Sequence, residues 1–282
     1  MFREVNSAIG ELIEGKIDPV LKERLEQIPG DNLNEFGVDP FGFSPEYFKY
    51  AASVAKIFYS HYFRVETHGL EHLPEGRMLL IGNHSGQLPF DAAMIISAVF
   101  LEAPQPRVVR AMIERWAPTL PFISYFFLRC GQIVGDPDSC ARLLESEEAV
   151  LVFPEGARGI NKMWHERYQL KPFSRGFMRL ALRTGSPIVP VATIGAEEQA
   201  LALLNIKPLA KLMAMPAFPL TPTILPLPLP TKYRIYFGEP LEFRGDPDED
   251  DETIDGKVRQ VVLKVQRMIQ EGLRARGGRV FF

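Results

Sequence analysis

An α/β fold, with a mostly parallel or mixed sheet flanked by helices and preceded by an N-terminal helical segment, is what this sequence predicts. Three observations carry the prediction. Short apolar runs at 78–81, 150–153 and 187–193 read as buried strands, with enough chain between them for crossover helices. Two of these runs pass directly into polar, glycine-bearing loops, where an open α/β sheet places its ligand site. Ser44-Pro45 and Asp136-Pro137 mark helix starts, each a capping residue followed by proline at the first helical position.

With 282 residues the chain has material for one large core or two small ones. The composition divides it into an N-terminal helical segment, 1–63, packing on the body or on a membrane, and an α/β body, 64–282. A formal net charge of −3 and the lack of a basic tract give no sign of a nucleic-acid partner. Cys130 and Cys140 have no metal or redox spacing and read as reduced thiols of a cytosolic protein. Residues 1–6 lack the basic-then-apolar layout of a signal peptide. No run of about 18 apolar residues is present, so the expectation is a protein that is soluble or rests on a membrane surface.

Residues 1–30 show weak helical periodicity broken at Gly15, Pro19 and Pro29-Gly30, and 31–44 read as loop. A helix follows to about residue 63. Its Tyr47, Phe48, Ile57, Phe58 and Tyr62 alternate with Lys49 and Lys56, a face suited to the sheet or to a membrane interface. The spacing then predicts an edge strand at 64–68, a strand at 78–81, a buried helix at 92–101 and a short strand at 107–111. The aromatic stretch 114–128 is interrupted by Pro118 and Pro121, and its 122–128 portion is long and apolar enough either to line an apolar groove or to pack as core. A strand near 131–134, a helix to about 147 and a helix over 173–184 ending at Gly185 come next. Residues 187–193 read as a strand, apart from whatever bend Pro190 imposes. Residues 202–230 mix apolar side chains with seven prolines and must hide them against the body or in lipid. A strand at 233–237, an acidic loop at 246–252 and an amphipathic helix at 253–275 complete the chain.

The chemistry concentrates in the loop after the first buried strand, Asn83-His84-Ser85-Gly86-Gln87-Leu88-Pro89-Phe90-Asp91. An imidazole titrates near neutral pH and suits general-base work. A carboxylate on its other nitrogen would fix the tautomer and stabilise the imidazolium. Read alone, the loop fits equally a helix start capped by Asp91 with His84 merely hydrogen-bonded. Ser85 lacks the Gly-x-Ser-x-Gly elbow of a serine nucleophile. His61, His68, His72 and His165 stand without such a setting.

A second loop, Phe153-Pro154-Glu155-Gly156-Ala157-Arg158-Gly159, joins this one, followed by Pro172-Phe173-Ser174-Arg175-Gly176 and Gly185-Ser186-Pro187-Ile188-Val189-Pro190. Together and in this order these segments resemble the glycerolipid acyltransferase superfamily, the lysophosphatidic acid acyltransferases and their monoacylglycerol acyltransferase-like relatives, across residues 78–195. The resemblance implies a glycerol-3-phosphate acyltransferase-like fold and an O-acyltransferase. It would move a fatty acyl group from acyl-CoA or acyl carrier protein, as co-substrate, to a glycerolipid-like or long-chain alcohol. His84 would be the base and Asp91 its orienting partner. Glu155, Gly156 and Arg158 would form the acceptor-binding loop. Gly131 would match a further substrate-binding glycine, and Arg175 would reach the donor's phosphates or end in solvent.

The activated thioester leads to no expectation of a metal or resident cofactor. The expected location is cytoplasmic, peripheral to the inner face of a membrane. Two alternatives share the motifs: a thioester or ester hydrolase using the same pair, and a non-catalytic lipid-binding protein. Two departures bear on the acceptor. Six residues separate His84 from Asp91 where the family commonly has four. The run from Gly131 to Pro137 lacks the arginine of the phosphate-binding branch, which favours a neutral hydroxyl acceptor, with Lys162 as a further cationic helper to Arg158 if phosphate is bound.

Overall fold

The apolar runs become the middle of a seven-stranded sheet. The computed structural model describes residues 17–29, 32–85, 89–113, 123–200, 204–205, 219–220 and 228–281. In chain order the strands are β1 (Glu66–His68), β2 (Met78–Gly82), β3 (Val109–Ile113), β4 (Ile133–Val134), β5 (Ala149–Val152), β6 (Ile188–Ile194), β7 (Leu204–Asn205), β8 (Pro219–Leu220) and β9 (Arg234–Phe237). The sheet runs β1-β9-β6-β2-β5-β3-β4, with β7 and β8 forming a separate pair. Strands β6, β2, β5, β3 and β4 are mutually parallel; β9 joins β6 antiparallel, and β1 follows β9 in parallel.

Parallel strands need covering on both faces, and alternate residues supply the two cores. Leu79, Ile81, Val150, Val152, Ile188 and Ala192 face one helical layer, which buries Leu143, Met178, Val261, Val265 and Ile269. Met78, Leu80, Ala149, Leu151, Val189 and Val191 face the other, with Met94, Ile95, Ala98, Tyr59 and Phe63. Each large side chain fully buried this way contributes about 2 kcal/mol relative to exposure.

The helices are α1 (Pro19–Glu26), α2 (Pro45–Ile57), α3 (Phe90–Glu102), α4 (Ile123–Arg129), α5 (Pro137–Glu145), α6 (Gly176–Thr184) and α7 (Asp251–Arg276). Their ends follow local chemistry. Asp18 accepts from the amides of Val20 and Leu21, so Pro19 opens α1 rather than breaking a helix. Ser44 stands at the N-cap of α2, but its hydroxyl makes no capping bond. The helix passes through a π-turn at Phe58–Tyr62. Asp136 caps α5, and Gly185 ends α6 in the left-handed conformation. The last helix begins inside the expected acidic loop because Asp250 takes the amides of Glu252 and Thr253. Residues 173–175 remain outside α6, which starts at Gly176. Leu21 and Phe48 pack with Phe43 and Phe100, setting α1 and α2 against α3.

Pro190 does not interrupt its strand. It pairs in register with Ile81 inside the unbroken β6. On the opposite edge β9 has ended at Phe237, and the Gly238 amide donates to the Pro190 carbonyl. A Cβ on Gly238 would come within 2.8 Å of the proline ring, so glycine makes room for it there. Most of 202–230, including Leu225 and Leu227, lies outside the described residues, as do 114–122.

Candidate active site

Three neighbouring strands, β6, β2 and β5, end at one pole of the sheet, and their following loops build the site. Asn83 extends the sheet by one residue: its side-chain amide donates to the Thr193 carbonyl and its carbonyl oxygen accepts the Thr193 amide. That two-bond bridge fixes where His84 leaves the strand.

The imidazole Nδ1 of His84 lies 2.7 Å from Asp91 Oδ2. Asp91 is in the first turn of α3 and fully buried. Its Oδ2 also accepts the Ser85 amide at 2.9 Å and its Oδ1 the Ala92 amide at 2.8 Å. With both carboxylate oxygens already accepting backbone amides, Nδ1 is the donor to Oδ2. Among the described residues none bonds Nε2, which is left as the acceptor nitrogen. The six-residue spacing thus closes into the expected pair. Ser85 is 1% exposed, so its hydroxyl is not presented as a nucleophile.

The Phe-Pro-Glu-Gly loop holds this histidine from below. Phe153 stacks on the imidazole, centroids 4.1 Å apart and planes 9° from parallel. Glu155 is 1% exposed and accepts the His84 amide on Oε1 at 2.8 Å and the Lys171 amide on Oε2 at 2.7 Å. Lys162, also buried, donates to both Glu155 and Glu197 and to the His84 carbonyl. Burial pushes the Glu197 carboxyl up to about 7. Gly156 adopts φ 57°, a left-handed backbone suited to glycine, and starts the single helical turn Ala157–Ile160. Within that turn, a Cβ on Gly159 would stand 2.8 Å from His84 Cβ.

The remaining sequence candidates scatter. Arg158 is exposed, donates to the Pro172 carbonyl at 3.0 Å and meets no carboxylate among the described residues. Arg175 instead grips Asp255 with two bonds, at 2.6 and 2.7 Å, and Asp251 with a third at 2.6 Å, tying α6 to α7 at the surface. Gly131, at φ 87°, closes α4 against Arg110 and Phe43. Lys162 is engaged on all sides and is no helper for a phosphate. His68 stacks on Tyr236, and His72 Nδ1 lies 3.0 Å from the Phe237 carbonyl. Cys130 and Cys140 are free and buried, and burial pushes both thiols up to about 12.

A cavity of about 350 Å³ begins beside the pair. Pro89 and Phe90, immediately before Asp91, line it together with Ala93, Ile96 and Phe100 of α3. Ala51, Ala52 and Ala55 of α2 and Phe126 and Phe127 of α4 form its other sides. Phe126 is half exposed, and Val54 and Ile57 of α2 are exposed as well. The sequence signal for this space was the run of alanines on two successive helices: small residues on facing helices leave volume between them. Among the described residues no helix is long and apolar enough to cross a membrane.

Residues 64–194 match the Acyltransferase family model. An uncharacterized protein of Mycobacterium tuberculosis is 40% identical over 217 residues, which cover 73% of this chain and 60% of that protein. The human DGAT1/2-independent enzyme synthesizing storage lipids is 25% identical over 204 residues, 70% of this chain and 59% of the human one. The chain therefore spans about three fifths of the length of these curated relatives. The crystal structure of a 1-acyl-sn-glycerophosphate (LPA) acyltransferase, PlsC, from Thermotoga maritima superposes with a TM-score of 0.56 at 18% identity, covering 82% of this chain and 81% of that one, and shares its fold. The motif loops at 83–91, 153–159 and 172–176 all fall within residues 64–194, the stretch that matches the Acyltransferase family model.

Proposed function

We propose that the protein transfers a fatty acyl group from a thioester to the hydroxyl of a neutral, glycerolipid-like or long-chain alcohol at a membrane surface, with His84 as the base. The observation that carries this reading is the His84–Asp91 pair together with an apolar cavity lined by the residues on either side of Asp91, Phe90 and Ala92. Nε2 takes the hydroxyl proton as the oxygen attacks the thioester carbonyl. The tetrahedral intermediate collapses, the carbon–sulfur bond breaks, and the imidazolium returns the proton to the departing thiolate. Asp91 stabilises the imidazolium between these steps. The apolar cavity suits the acyl chain, and the exposed Phe126 of its lining, with the exposed Val54 and Ile57 of α2, suits contact with lipid.

Charge supports a neutral acceptor. A phosphate drawn from water needs more than one cationic partner. Of the three cations in the matched loops, Lys162 is held by two glutamates and Arg175 by two aspartates, which leaves Arg158. The human relative's name, an enzyme synthesizing storage lipids, points the same way. The test is labelled acyl-CoA or acyl carrier protein offered with monoacylglycerol, long-chain alcohol or lysophosphatidic acid, products being identified by mass. We expect a higher kcat/KM for the neutral acceptors, and Arg158→Ala to change it by less than about threefold, the scale of an exposed side chain's contribution. A preference for lysophosphatidic acid would overturn the neutral acceptor. Acceptor-independent release of fatty acid would make the protein a hydrolase.

The cavity makes a separate prediction. Ala55→Phe narrows it from α2. We expect kcat/KM to fall by about tenfold or more on the longest accepted acyl chains and to stay near normal on short ones. Equal losses at every length would separate the cavity from the acyl chain.

A further inference from the structure

We propose that Lys162 is a positioning residue for His84: held between Glu155 and Glu197, its ammonium locks the peptide that carries the base. The proposal rests on the reading of His84 as that base. Residue 84 is gripped at both of its backbone polar groups by the two members of one buried ion pair. Its amide donates to Glu155 Oε1 at 2.8 Å, and its carbonyl accepts from Lys162 Nζ at 3.2 Å. The three protons of the ammonium match three acceptors, the third being Glu197 Oε1 at 3.2 Å. Nothing of Lys162 is left for a substrate, and its side chain is 4% exposed.

The clamp depends on charge. Glu155 accepts from two backbone amides, one on each oxygen, as well as from the lysine. Without the ammonium, a buried carboxylate loses one of its partners and is drawn toward other donors and away from the two amides. Lys162 therefore keeps Glu155 in the orientation that holds His84. Glu197 is the tether at the far side. Its Oε2 accepts the Tyr168 amide at 2.7 Å, while the adjoining Glu198 is bonded by Arg276 of α7 and by the Tyr168 hydroxyl. The rigid frame of β6 and α7 is thus carried through one lysine to the loop after β2.

The experiment reads His84 geometry without any substrate and turnover separately. Histidine labelled with nitrogen-15 should give a downfield proton for the His84 Nδ1–H bond to Asp91, assigned by its absence in His84→Gln. In Lys162→Met that resonance should be lost or broadened, kcat should fall by about ten- to a hundredfold, and KM for donor and acceptor should stay within about twofold. Glu197→Gln, which leaves the Lys162–Glu155 pair neutral and buried, is the second variant should Lys162→Met not fold. There we expect the same resonance to broaden and kcat to drop about three- to tenfold. An unchanged resonance in a folded variant, or a loss confined to KM, would overturn the positioning role. Should wild-type protein show no acyl transfer, the functional reading fails while the resonance still decides the clamp.

Discussion

His84→Ala should lower acyl transfer by about two to four orders of magnitude while leaving donor affinity near that of the native protein. The structure explains why the loss falls on turnover. The imidazole is mostly enclosed, stacked on Phe153 and bonded through Nδ1 to Asp91, so it adds little contact area for a lipid but presents the one nitrogen able to take a proton. Asp91→Asn should be about as damaging, a loss of about 10³–10⁴, because an amide N–H facing Nδ1 reverses the tautomer and removes the charge that supports the imidazolium. Single-turnover measurement with saturating acceptor distinguishes chemistry from product release. Near-native rates in folded His84→Ala protein would remove His84 from the mechanism.

Gly159→Ala should cost about a hundredfold in kcat with little change in melting temperature. The added methyl group would lie 2.8 Å from His84 Cβ and 3.0 Å from both Glu155 Cβ and the His84 carbonyl. None of these is the loose end of a flexible side chain, so the histidine must shift. A misplacement of about 1 Å at a reacting group is worth about 10² in rate. The backbone itself tolerates alanine, since Gly159 lies in a right-handed helical turn and has no positive φ. A kcat within threefold of native would show that the loop absorbs the methyl group without moving the base.

What the sequence made legible was whatever depends on short range. Residues 78–81, 150–153 and 187–193 announced central strands by unbroken apolar character, and His84 and Asp91 were found because one loop contains both. The clamp was not legible. Lys162 reaches His84 across 78 residues and Glu197 across 35, and nothing in either neighbourhood marks a lysine that will be buried. Arg175 shows the same limit from the other side. Its motif position suggested phosphate, but Asp251 and Asp255, 76 and 80 residues later, take it into a surface ion pair. Glu155 was legible as a site residue yet not in its role, because a carboxylate that binds a ligand and one that binds a neighbouring backbone look alike until the backbone is placed.

The helix α3 holds Asp91 in its first turn and forms one wall of the cavity with Ala93, Ile96 and Phe100 over the following turns. A helix transmits displacement along its axis as a nearly stiff rod. An occupant too bulky for the cavity therefore presses on the same rod that sets the Asp91–His84 distance, and one that fits leaves it at rest. Selection among fatty acids would then act as a mechanical gauge on the proton-accepting step, with poorly matched chains bound yet processed slowly.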